Sequence, residues 1–365
     1  METSYVSTTS TYNNVTTATK SPINHVPIFV LVVTILSCLL SLIGIICIFV
    51  SYYAIASVRN YIRKLLLCLT IANLLDVVGI IIGLARYILL EYRDKSNEHE
   101  QESCTLQSFI TSFAPCSSFF WTVLIAVYIQ VQVLKPRWVD NMSNKRATVM
   151  YHVMSWGIPG ITCVVGLYYN VFGDTDDIFT GPWCWIKTNS NLPRKTAILW
   201  MFLTVKGWEI LSYIILAEVL VYVVYKKYIL PTCMKKRRTP FAELFGQSTQ
   251  VNVSKGLRPE DKNFVYVWLI FYVLRFGGTF RFLMHIIKEP TDGVMTITDR
   301  AMMVWQAFGD TAQAFGNFIF LCVFDKSIRQ HYCGNNINNV SDDHVAARRE
   351  DYVNSGFTST ESLQA

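Results

Sequence analysis

The sequence predicts an all-α membrane protein, a seven-transmembrane helix bundle with its N-terminus outside the cell. Three observations predict it. Of 365 residues, 52% are hydrophobic and 16% are charged, against about 25% charged in an ordinary soluble domain. Seven apolar stretches follow one another, each close to the roughly 20 residues that cross about 30 Å of hydrocarbon as a helix. Lys and Arg alternate in density between successive connections: eighteen fall in one set and eight in the other, the latter beside twelve acidic residues.

The first stretch, Pro27–Ala56, carries no charge between His25 and Arg59. The others run Leu65–Leu90, Thr105–Leu134, Thr148–Val171, Thr196–Tyr225, Phe264–Ile287 and Ala301–Phe324. The second, fifth, sixth and seventh contain ionisable residues, so they cannot face lipid all round and belong inside a bundle. The basic set of connections comprises Val58–Lys64, Lys135–Arg146, Lys226–Asn263 and Asp325–Cys333. It is expected on the cytoplasmic side. Residues 1–26 then form an extracellular segment. The sequon Asn14-Val15-Thr16 in it is a glycosylation acceptor, whereas those at Asn141, Asn252 and Asn339 fall inside. The first 25 residues are polar and lack the apolar core of a signal peptide.

After the bundle (27–324), residues 325–333 read as a short amphipathic helix along the inner leaflet, with Cys333 a candidate for palmitoylation. Residues 334–365 read as a disordered cytoplasmic tail. Ser355, Thr358, Ser359, Thr360 and Ser362 in it are phosphorylation candidates that would recruit arrestin, and a purely solubilising tail is the alternative. No internal repeat is present, which weighs against an inverted-repeat transporter.

Six of the ten cysteines sit in apolar runs and act as small hydrophobes. Cys104 and Cys184 are the two in extracellular loop positions, where the medium is oxidising, and they are expected to form a disulfide. The bridge would pin the loop carrying Trp183-Cys184-Trp185 across the bundle mouth.

A layer of ionisable residues lies inside the bundle. At about 1.5 Å per residue, Asp76, Lys206, Glu209, Arg275 and Asp310 all fall near the midplane. Lys206 and Glu209, three apart, share a helix face. Intramembrane charge is costly and marks function by default, although structural ion pairing is an equal alternative. The functional reading is a polar switch that rearranges between resting and active states. Nearer the outer surface, Arg281 and His285 share a face. With Trp183 and Trp185 they outline a candidate ligand pocket suited to an anion. Arg86, at the same level, reads more simply as reaching for headgroups.

The third inner connection contains Lys226, Lys227, Lys235, Lys236, Arg237 and Arg238, a surface for a partner protein or anionic lipid. Gly79 and Gly83 form a small-residue pair suited to helix packing. No HExxH, GxSxG, phosphate loop or metal-ligand cluster is present, and the seventh stretch has no Lys for a retinal-type Schiff base. An enzyme, a cofactor, a metal and a nucleic-acid partner are therefore not expected.

Ser117-Ser118-Phe119-Phe120-Trp121-Thr122, Ser155-Trp156-Gly157-Ile158-Pro159, Trp183-Cys184-Trp185-Ile186, Leu199-Trp200-Met201 and Lys206-Gly207-Trp208-Glu209 are the sharpest segments. Together they resemble the cyclic-AMP-receptor-like group of G-protein-coupled receptors, over roughly Leu36 to Cys333. Trp156-Gly157 and Cys184-Trp185 carry a fainter likeness to secretin and adhesion receptors. The short, cysteine-free N-terminus leaves no room for their hormone-binding ectodomain, so none is expected. The resemblance implies a plasma-membrane receptor coupled to heterotrimeric G proteins, and names no ligand. The third stretch ends Tyr128-Ile129-Gln130-Val131-Gln132 without an Asp-Arg-Tyr triplet. Relatives commonly have Asp where Asn73 stands and Asn where Asp310 stands, so Asn73 is expected to face Asp310 as a reciprocal swap. A transporter or channel using the same charge layer is the alternative. A seven-span hydrolase is disfavoured by the scattered histidines.

Overall fold

The computed structural model of the chain describes residues 27–92, 98–134, 138–173, 183–188, 192–226, 265–287 and 296–333. Asn14, Asn252, Asn339, the basic run from Lys227 to Arg238 and the C-terminal tail lie outside them.

The described part is mostly helical. Helix α1 is Ile28–Ala54, α2 is Tyr61–Tyr92 and α3 is Glu98–Leu134. Next come α4, Lys145–Tyr168, and α5, Arg194–Val224. Helix α6 is Val265–Ile287. Among the described residues, six helices are long and apolar enough to cross a membrane, one in each of α1 to α6. Helix α7 follows at Ile297–Gly309, α8 at Gln313–Val323 and α9 at Lys326–Cys333. Strands β1 (Phe172–Gly173) and β2 (Trp185–Ile186) pair antiparallel, with Phe172 opposite Ile186.

Helix α1 shows an inverted pattern. Thr34, Ser37, Ser41 and Gly44 are buried, whereas Val32, Leu36, Leu39, Ile43 and Ile46 are exposed. A water-soluble helix does the reverse. In lipid, small polar residues turn inward and let backbones approach, while apolar side chains meet acyl chains. Arg59 then donates to the Tyr52 and Tyr53 carbonyls, closing the open end of α1.

Helix α3 is the hub, packed against α2, α4, α5, α6 and the β-hairpin. Several of its buried hydroxyls bond back to their own helix: Ser118 Oγ donates to the Pro115 carbonyl at 2.9 Å and Thr122 Oγ1 to that of Ser118 at 2.8 Å. This satisfies their protons within α3 and leaves Phe119, Trp121 and Ile125 to fill the core. A Cβ on Gly79 would lie 2.9 Å from both Ile110 and Thr111, and one on Gly83 would run into Gln107. The glycine pair thus brings α2 against α3.

Among the described residues three helices contain a widened π turn, in α8 at Ile319–Val323. In α4 it spans Val153–Gly157, just ahead of Pro159, which has no N–H to offer the Ser155 carbonyl. In α5 it spans Phe202–Lys206 and so delivers Lys206 to the layer that holds Glu209.

The seventh apolar stretch, expected as one helix, is divided. Helix α7 opens with a capping box between Thr296 and Asp299 and stops at Gly309. A Cβ there would collide with the Leu274 carbonyl oxygen of α6. Residues 310–312 form a turn before α8 begins. Helix α1 adds hydrogen bonds at this break: Ser37 Oγ donates to the Phe308 carbonyl at 2.7 Å, which also accepts from the Ala312 amide, and Ser41 Oγ donates to that of Thr311 at 2.5 Å. A broken helix inside a membrane needs such partners.

Candidate functional site

The site is built from the disulfide end of the bundle downward. Cys104 of α3 and Cys184, one residue before β2, form the expected disulfide, with Cα atoms 5.5 Å apart. Further bonds hold the loop: Gln107 Oε1 accepts from the Cys184 amide at 3.1 Å, and Arg86 Nη1 contacts Cys184 Sγ at 2.7 Å. Arg86 thus turns inward to the bridge instead of outward to headgroups. At the base of the hairpin Asn170 adopts a left-handed backbone (φ 53°), and its Oδ1 accepts from Lys187 Nζ at 2.8 Å. Partial burial lowers the Lys187 pKa from its ordinary value.

Below the loop lies a small cleft of about 50 Å³, walled by Trp183, Trp185, Ile80, Pro115 and Val205. Its floor is the ionisable layer. Glu209 is wholly buried and accepts from Lys206 Nζ at 2.7 Å, Tyr213 Oη at 3.0 Å and Thr279 Oγ1 at 2.5 Å. Arg275 of α6 donates to Asp76 of α2 at 3.1 Å and to Asp310, at the α7–α8 break, at 3.4 Å. Its guanidinium also sits 5.3 Å from the centre of the Phe119 ring. All five predicted charges therefore meet in one layer. They come from α2, α5, α6 and the α7–α8 junction.

Three expectations need correction. Asn73 is not hydrogen-bonded to Asp310. Its Nδ2 is buried without a hydrogen-bond partner among the described residues, and Asp310 accepts from Arg275. Arg281 and His285 do not line the cleft among the described residues. Arg281 Nη1 instead donates to Gln306 of α7 at 2.5 Å, and the His285 carbonyl accepts from Arg194. The floor is consequently not basic but mixed, with three carboxylates beside two cations.

At the other end of the bundle Arg63 and Asp325 form a buried ion pair at 2.5 Å. Arg63 Nη1 also donates to the Leu321 carbonyl at 2.9 Å, and Asp325 Oδ1 accepts from the Ile328 amide that opens α9. Both fall in segments expected as connections. Lys226 is exposed, 5.9 Å from the Tyr222 ring centre. Among the described residues no group of three His, Cys, Asp or Glu is placed to hold a metal.

Comparison with known proteins agrees with this architecture. Residues 24–249 match the family model described as the seven-transmembrane receptor (Secretin family). The chain is 30% identical to G-protein coupled receptor 157 of Mus musculus over 300 residues, which is 81% of this chain and 82% of that one. The same receptor in Homo sapiens is 30% identical over 299 residues, 81% of each chain. Cyclic AMP receptor-like protein A of Dictyostelium discoideum is 24% identical over 155 residues, 42% of this chain and 36% of that one. The resemblance carried by the α3, α4 and α5 segments is thus found in whole-chain comparison. The chain belongs to the seven-transmembrane receptor family and is a multi-pass protein of the plasma membrane.

Proposed function

We propose that this receptor carries an extracellular signal to heterotrimeric G proteins, and that the midplane charge layer is the element that rearranges. One observation carries the reading. Five ionisable residues from separate parts of the bundle converge directly beneath a cleft roofed by the disulfide-pinned loop. A ligand in the cleft is in position to trade contacts with the same side chains that tie α5, α6 and α7 together. Ion pairs of this kind have discrete alternative partners, which a switch requires.

In this reading α7 and α8 together make the seventh crossing, and the N-terminus lies outside with a glycan on Asn14. Helix α9 lies along the inner leaflet, with Cys333 as its palmitoylation site. The inner connection with Lys226, Lys227, Lys235, Lys236, Arg237 and Arg238 meets the G protein and anionic lipid. The tail from residue 334 engages arrestin once phosphorylated.

The test is second-messenger output, calcium and cyclic AMP, in cells expressing the chain, with Glu209→Gln alongside at matched surface level. A rise over control cells that the variant changes is the expected result. Output from neither protein, with or without candidate ligands, would overturn the coupling reading.

A further inference from the structure

The floor of the cleft has hydrogen-bonding capacity of both signs at one spot. Lys206 Nζ spends one bond, on Glu209, among the described residues. It keeps two further N–H groups. Asp310 receives Arg275 at 3.4 Å through Oδ1, and Oδ2 accepts nothing among the described residues. Its side chain is also the most exposed of the layer, at 15% against 8% or less for the other four. These two groups adjoin. The position a Cβ would take on Gly278 lies 3.2 Å from Lys206 Nζ and 3.4 Å from Asp310 Oδ1. Gly278 keeps that position open.

The neighbouring charges are otherwise committed. Glu209 already accepts three bonds, and Asp76 holds Arg275. Arg281, behind the wall, is bound to Gln306. A simple cation at Asp310 would sit against the Lys206 ammonium, and a simple anion at Lys206 would sit against the Asp310 carboxylate. Either arrangement sets like charges together in a low-dielectric site, where repulsion is poorly screened. A molecule carrying both charges meets neither penalty.

We infer that the cleft binds a small zwitterion, its ammonium on Asp310 and its carboxylate on Lys206, with its apolar body between Trp183, Trp185 and Val205. This rests on the receptor reading above and names the ligand class for its site. Binding of this kind loosens Lys206 from Glu209 and Asp310 from Arg275, and so couples ligand to layer.

The experiment measures the melting temperature of the purified full-length chain in lipid nanodiscs with three probes of one body: phenylalanine, phenethylamine and 3-phenylpropionate. γ-Aminobutyrate is added as a slimmer zwitterion. The inference expects a zwitterion to raise Tm by at least about 2 °C, with both singly charged analogues giving clearly less. Gly278→Ala, whose methyl meets the side chains of Lys206, Asp310 and Gln306 and no backbone, should fold normally and lose the shift. Equal shifts from a singly charged analogue, a full shift in Gly278→Ala, or no shift from either zwitterion would overturn it. The readout is independent of G-protein output, so each reading fails separately.

Discussion

Arg63 and Asp325 meet at 2.5 Å between the start of α2 and the start of α9, whereas Arg275 in mid-bundle is divided between Asp76 at 3.1 Å and Asp310 at 3.4 Å. Both sites bury ions. The inner pair is also tied to backbone, through the Leu321 carbonyl and the Ile328 amide. The midplane layer has five members, long and short contacts, and an adjoining cleft. The difference teaches that buried charge is not one category: a pair locked to backbone is a clasp, whereas a shared cation with spare acceptors is what the proposed switch requires.

Four substitutions probe that contrast, in falling order of effect. Asp325→Asn leaves Arg63 buried without its counter-ion, at a cost of about 3–5 kcal/mol, so the surface level should collapse. Cys184→Ser frees the loop over the cleft and should cost about 2–5 kcal/mol, read as a lowered Tm. In the midplane, Glu209→Gln keeps the shape and the hydrogen bonds from Tyr213 and Thr279 but weakens the hold on Lys206. A bias of about 1–2 kcal/mol changes a two-state ratio about 5–30-fold, and ligand-independent output per receptor should rise within that range. Smallest is Ser41→Ala, which removes one bond to the α7–α8 break. Interhelical hydrogen bonds in lipid average about 0.6 kcal/mol, so a shift of a degree or two in Tm is expected.

Much of this was legible in the sequence. The apolar lengths mark the helices because lipid sets their span, and depth along each helix places Asp76, Lys206, Glu209, Arg275 and Asp310 at one level. The disulfide was legible because compartment leaves two candidates. Partnerships were not. Rotation about each helix axis decides that Asp310 meets Arg275 and leaves Asn73 aside, and depth carries no information on rotation. Arg281 reads as pocket-lining until Gln306 is seen beside it. Arg63 and Asp325 lie in segments counted for topology, and nothing in their spacing, 262 residues apart, brings them together. The break after Gly309 depends on the approach of the Leu274 carbonyl, a tertiary contact that no local pattern announces.

The most direct test sets the two ion sites against each other in one cell line, measuring surface level and second-messenger output per surface receptor for Glu209→Gln and Asp325→Asn. The account predicts that Glu209→Gln changes output per receptor while reaching the surface normally, and that Asp325→Asn loses surface level while each surviving receptor signals as wild type. Unchanged output per receptor in Glu209→Gln, or the same response from both variants, would contradict it.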